Sequence, residues 1–202
     1  MKNIKKIFIL LLLLLTCGCT VVRINTDSID TIIEVILSKN IDLFNRTGRG
    51  YKYYVPKGVA YIDTDGTNDK LYSNGYYYYL YVDTVSYSQN IKVEYEENKN
   101  AYYSRKLNKD EGFKHDGYLE VIKEGNLYHI TFEYNHAKIE TMVSKKEINV
   151  SVLNIAYILS TIQYNDDIIS LTIDEETYNR EEKYEVFKNK EEKDINELQI
   201  DE

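Results

Sequence analysis

The chain has 202 residues, with 33 acids against 25 bases and a formal net charge of −8. An acidic chain with no basic patch excludes nucleic-acid binding and electrostatic docking on anionic lipid as its main task. The length suits one domain of ordinary size. Both cysteines, Cys17 and Cys19, lie at the very start, so the rest of the chain has no disulfide framework, thiolate metal site or cysteine nucleophile.

The first nineteen residues read as an address. Lys2, Lys5 and Lys6 precede an unbroken apolar run, Ile7 to Leu15. That run has the length of a signal-peptide core and is too short for a bilayer span, which needs about 20 residues. It ends Leu15-Thr16-Cys17-Gly18-Cys19. This stretch resembles the lipobox of bacterial lipoproteins, in which a small residue precedes the cysteine that is lipidated and becomes the mature N-terminus. Cys19 matches, because Gly18 precedes it; Cys17 matches less well, because Thr16 does. Thr16 also departs from the leucine that is commonest three positions before the lipidated cysteine. The resemblance implies a leader over 1–18, an acylated Cys19, and a domain held on the extracytoplasmic face of the cell membrane. Two or more acyl chains anchor stably where one does so marginally. Losing the three leader lysines takes the net charge from −8 to −11, of which the segment from Asp174 to Glu202 carries −7.

The first element of the body is a helix. Asp27 can cap it, and Ile29, Ile32, Ile33, Ile36 and Leu37 form one apolar face. The helix ends near Asn40 to Asn45, and Thr47-Gly48-Arg49-Gly50 breaks it. Tyr51–Val55 and Val59–Thr64 read as strand, split at Pro56, the only proline. Asp63 to Asp69 reads as a polar loop, and Asn74-Gly75 as a hairpin turn leading into a strand from Tyr76 to Tyr87. Three further strands follow, Tyr118–Lys123, Leu127–Tyr134 and Ala137–Val143, with clean alternation of apolar and polar residues. Ser144-Lys145-Lys146-Glu147 is a capping-box pattern. It precedes a helix striped by Ile148, Val152, Ile155, Ala156, Leu159 and Ile162. Ile169, Leu171 and Ile173 alternate as a last strand. From Asp174 to Glu202, twelve acids stand against five bases, which predicts a frayed helix or disorder over 174–202.

This order predicts one α+β domain over 19–173: an antiparallel sheet of five to seven strands with two helices packed on one face. The stretch "GNLYHITFEYNHAKIETMV", followed by "LNIAYILSTIQYND", within residues 125–166, also resembles the C-terminal part of PsbP-like domains. That resemblance implies a fold order of hairpins then helix, and carries no functional residue.

Tyrosine is the compositional oddity. There are 21, with no tryptophan, and fourteen lie between Tyr51 and Tyr103. In "YYYYLYVDTVSY", alternation sends Tyr76, Tyr78, Leu80 and Val82 to one face. Tyr77, Tyr79, Tyr81, Val85 and Tyr87 go to the other, as a row about 7 Å apart. Tyr77, Tyr79, Tyr81 and Tyr87 are therefore the candidate contact surface, since tyrosine joins apolar area to a polar tip. The competing reading is that tyrosine is simply a good strand residue.

The remaining chemistry is bland. "DTDGTND" (63–69) lacks the spacing of a calcium loop and reads as an Asx-rich turn. His115, His129 and His136 have no metal-ligand spacing and read as surface histidines; no metal or other cofactor is implied. No serine nucleophile motif, catalytic motif or phosphate loop is present. Two function classes follow. The first is a non-enzymatic, lipid-anchored binding or structural module at the cell envelope, touching the membrane through its anchor and an envelope protein or glycan through its surface. The second is a carboxylate-dependent cell-wall or glycan hydrolase.

Overall fold

The computed structural model describes residues 28–107 and 116–172. The expected leader over 1–18, Cys19, the cap candidate Asp27, His115 and the acidic tail lie outside the described residues. The fold is α+β, a seven-stranded antiparallel sheet with a second, three-stranded sheet beside it.

Helix α1, Ile29–Leu37, buries Ile29, Ile32, Ile33 and Ile36 along one stripe, as its periodicity predicts. Helix α3, Ile148–Ser160, buries Ile148, Val152, Ile155, Ala156, Ile158 and Leu159. The two helices pack against each other, and α3 lies on the sheet. Two short strands, β1 (Arg46–Thr47) and β2 (Tyr51–Tyr53), form a hairpin. They build the small sheet with β10 (Gln163–Tyr164). The large sheet holds β3 (Ala60–Asp65), β4 (Asn68–Ser73), β5 (Tyr76–Val82), β6 (Tyr103–Leu107), β7 (Gly117–Glu124), β8 (Leu127–Tyr134) and β9 (Ala137–Val143). Their spatial order is β3-β4-β5-β9-β8-β7-β6, every neighbouring pair antiparallel.

The turns follow their residue chemistry. Asn74 and Gly75, both at positive φ, join β4 to β5. Asn135 and His136 do the same between β8 and β9. The hydrophobic core lies between the helices and one face of the large sheet. Leu71, Tyr78, Leu80, Val82, Leu119, Val121, Ile130, Phe132, Ile139 and Val143 all point into it. The hydroxyls of Tyr78 and Ser151 meet at 2.9 Å, so a tyrosine buried beneath α3 keeps its polar tip satisfied.

Four sequence expectations need correction. The strand from Tyr76 stops at Val82. The Asp83 carboxylate accepts from the backbone N–H of Ser86 at 2.8 Å and starts a short helix, α2 (Thr84–Gln89). Val85 and Tyr87 therefore leave the strand, because a capped turn satisfies their backbone locally.

Asp63–Asp69 is mostly strand. β3 and β4 continue to a two-residue turn at Gly66-Thr67, since β5 runs on to pair Tyr81 with Asn68. Ile169 and Leu171 belong to helix α4, Asp166–Thr172. Ile169 is buried while Leu171 is 86% exposed, so they do not share a face. Asn165 accepts from the Ile168 N–H and Asp166 and Asp167 fill the first turn, both of which favour a helix start.

The capping box does not close either. Residues 145–147 form a 3-10 turn, and the Ser144 hydroxyl is buried with no hydrogen-bond partner. The Glu147 carboxylate accepts instead from Asn74. The edge strand β6, whose sequence YSRKL shows no apolar alternation, had no sequence signal. It is held by Arg105 and the Tyr103 hydroxyl, both on Asp30 of α1.

Candidate functional site

With both long helices on one face of the large sheet, the opposite face carries the other half of every strand. On β5 that half is Tyr77, Tyr79 and Tyr81. Register sets their neighbours. Tyr77 lies beside Tyr72, Tyr79 between Lys70 and Glu140, and Tyr81 between Asn68 and Lys138. Tyr77 is 46% exposed, and Tyr79 and Tyr81 are half-buried. None of the three belongs to the core, although strand mates Tyr78, Leu80 and Val82 do.

The rings form a connected surface. Tyr72 and Tyr77 have centroids 5.2 Å apart, and Tyr77 and Tyr79 6.5 Å apart. The Lys70 ammonium stands 4.2 Å above the Tyr77 ring and 5.8 Å from that of Tyr79, a cation–π arrangement. Toward β7 the same face is covered. Tyr95, from the segment between α2 and β6, stacks on Tyr118 with centroids 4.0 Å apart. Its hydroxyl joins the Ser104 hydroxyl and donates to Glu120. Burial pushes the Tyr118 phenol well up. The uncovered part of the face is thus centred on β4 and β5.

Tyr87 is not in this surface. It sits on α2, stacked on Tyr164 with centroids 3.9 Å apart, and its hydroxyl donates to Asp166. Burial and that bond raise its pKa to about 12. His136 packs edge-on to Tyr87, and its Nδ1 lies 2.9 Å from the Ser86 hydroxyl. At 6% exposed it is a core histidine rather than a surface one, because its turn folds back onto α2. His129 is half-buried, 3.6 Å from Glu124.

The Ser86–His136 contact has the distance of a nucleophile–base pair. Among the described residues, however, no carboxylate hydrogen-bonds the imidazole, and Asp83 is occupied as a cap. The pair anchors α2 to the β8–β9 turn. Burial holds His136 below its ordinary pKa against the opposing pull of Asp83 and Asp116. The unfolded chain therefore takes this proton first as pH falls. Stability should decrease from about pH 6.5 downward and recover above it. Urea melts at pH 7.5 and 5.5 should show that loss shrinking in His136→Asn, a residue that tolerates the positive φ.

Acids elsewhere serve structure. Asp116 accepts from the Val93 N–H, and Asp30 receives Tyr103 and Arg105. Among the described residues no group of three or more His, Cys, Asp or Glu could hold a metal ion. Comparison with protein-family models, with curated proteins and with solved structures finds no match to this chain.

Proposed function

We propose that this protein is a lipid-anchored, extracytoplasmic envelope lipoprotein that works by binding, and that its tyrosine face takes a wall or surface glycan. The observation that carries the reading is the open aromatic face over β4 and β5, opposite the helices. Tilted tyrosine rings offer apolar faces to sugar rings and hydroxyls to their edges. The address rests on the lipobox-like run ending at Cys19. Among the described residues no helix is long and apolar enough to cross a membrane, so an acyl anchor would serve in place of a span.

A glycan hydrolase would need two acids about 5–10 Å apart at one cleft. Asp83 is engaged as a cap, Asp30 by Tyr103 and Arg105, and Asp116 by the Val93 N–H, which favours binding over cleavage.

Two experiments test this. Cys19→Ala should leave an unacylated precursor and abolish labelling by a fatty-acid probe, while Cys17→Ala should be processed normally. Normal acylation of Cys19→Ala would sink the anchor assignment. Co-sedimentation of the purified protein with isolated cell-wall glycan should be saturable. Binding only to a protease-sensitive component of the envelope would reassign the face to a protein partner.

A further inference from the structure

A pocket lies on the other side of the large sheet from the tyrosine row, since Tyr61 pairs with Leu71 and Asp69 with Leu80, and it stands independently of that row. Asn45 to Arg49 and the β3–β4 edge enclose a pocket of about 390 Å³, lined by Arg46, Arg49, Tyr61, Thr64 and Asp69 among others. Its construction is specific. The hairpin β1–β2 turns through Gly48-Arg49-Gly50, with the Gly48 N–H donating to the Tyr51 carbonyl at 2.9 Å. A Cβ on Gly48 would stand 2.2 Å from the Tyr51 ring. Gly50 has φ +85°, and a Cβ there would stand 2.7 Å from an Ile169 side-chain carbon. The Asn165 N–H donates to the Gly50 carbonyl at 2.9 Å, and the Asn45 side chain bonds both backbone groups of Val55. The loop presenting Arg49 is thus clamped on both sides, which limits the entropy a ligand must offset.

The charges are unusual for so acidic a chain. The described residues include three arginines. Arg105 pairs with Asp30 and Glu34. Arg46 and Arg49 make no ion pair among the described residues, yet both line this pocket. Arg46 is held 4.2 Å over the Tyr61 ring. At the floor Asp69 is 7% exposed. One of its oxygens receives the hydroxyl of fully buried Tyr53, whose phenol is pushed well up by burial and by this bond and so stays a donor. Two positive charges above one negative leave a net positive site, the complement of a monoanion.

We infer that this pocket binds a phosphodiester of a polyol or sugar, with Arg46 and Arg49 gripping the phosphate and Asp69 accepting from a neighbouring ligand hydroxyl. A phosphodiester spreads one negative charge over two non-bridging oxygens on a tetrahedral centre, which two guanidiniums can approach from different sides, whereas a planar carboxylate presents one edge to one fork. The volume suits one such unit. Asp69 contributes the discrimination against a bare anion.

Calorimetric titration of the purified full-length chain with glycerophosphoglycerol, inorganic phosphate, glucuronate and glycerol tests this. The phosphodiester should bind at least tenfold tighter than phosphate or glucuronate, and glycerol not at all. Arg49→Gln removes a guanidinium that makes no ion pair among the described residues, so it should weaken phosphodiester binding at least tenfold with an unchanged melt. Asp69→Asn should remove the advantage over inorganic phosphate while phosphate binding survives. That survival separates lost recognition from lost folding.

Sedimentation with phosphatidylglycerol against phosphatidylcholine vesicles presents the same group from a membrane. Arg49-dependent binding there too would mark the lipid headgroup as the source, whereas its absence beside soluble binding would mark a non-lipid phosphodiester. Equal affinity for all three anions, full binding by Arg49→Gln, or no saturation below about 10 mM would overturn the assignment.

Discussion

Replacing Tyr77, Tyr79 and Tyr81 together with serine should abolish sedimentation with cell-wall glycan while the domain still melts cooperatively. Truncating one central aromatic of a contact surface commonly costs about 2 kcal/mol of binding, roughly thirtyfold, so three leave no measurable affinity. The stability side is smaller. All three side chains stand on the face away from the core, and strand propensity spans only about 1 kcal/mol per site. A midpoint lower by several degrees is expected, against a domain stability of about 5–15 kcal/mol. Tyr78→Ser, on the same strand but fully buried beneath α3, should by contrast cost about 3–5 kcal/mol. If the triple variant unfolds as Tyr78→Ser does, the row is structural; if it folds and still binds, the contact lies elsewhere.

Gly117→Ala should destabilise the domain far more than one added methyl group ordinarily does. Gly117 opens β7 and is flanked by Leu107 of β6 and Tyr134 of β8. A Cβ there would stand 2.1 Å from the Glu133 carbonyl oxygen and 2.9 Å from the Tyr134 Cα. Both are backbone atoms of a central strand, so no side-chain rotation relieves the clash. The strands must part, and with them goes the register that places Tyr118 under Tyr95. Overpacking a core typically costs about 1–3 kcal/mol, and a backbone clash exceeds that range. The domain should melt more than about 10 °C lower or lose its transition. Gly125→Ala is the control. It lies in the β7–β8 turn at φ +58° with nothing within 4 Å, so only the backbone preference is lost, about 1 kcal/mol. Equal melting of the two variants would show that β7 can move away from β8.

Local chemistry alone determined much of this protein. Periodicity placed α1 and α3, because a helix that buries Ile29, Ile32, Ile33 and Ile36 must repeat its apolar residues every three to four positions. Alternation placed β7, β8 and β9 and divided the β5 tyrosines between two faces, because strand side chains alternate strictly. Asn74-Gly75 announced its hairpin, since few residues accept the positive φ of such a turn.

The rest was decided by contacts between distant segments. Whether Tyr77, Tyr79 and Tyr81 were open depended on where α1, α3 and the Tyr95 segment came to lie. Nothing local distinguishes Asp69 from Asp63 or Asp65. Asp69 becomes a buried acceptor only because Tyr53, sixteen residues earlier, reaches it from the small sheet. Tyr87 left its row for a cap at Asp83 whose signal was overridden by the run of strand formers before it. The loop "TGRG" read as a helix breaker, yet its glycines are required by Tyr51 and by Ile169, over a hundred residues away. A sequence pattern records what each residue needs from its immediate neighbours. The pocket at Arg46 and Arg49 is made by chain segments that meet only when the core closes.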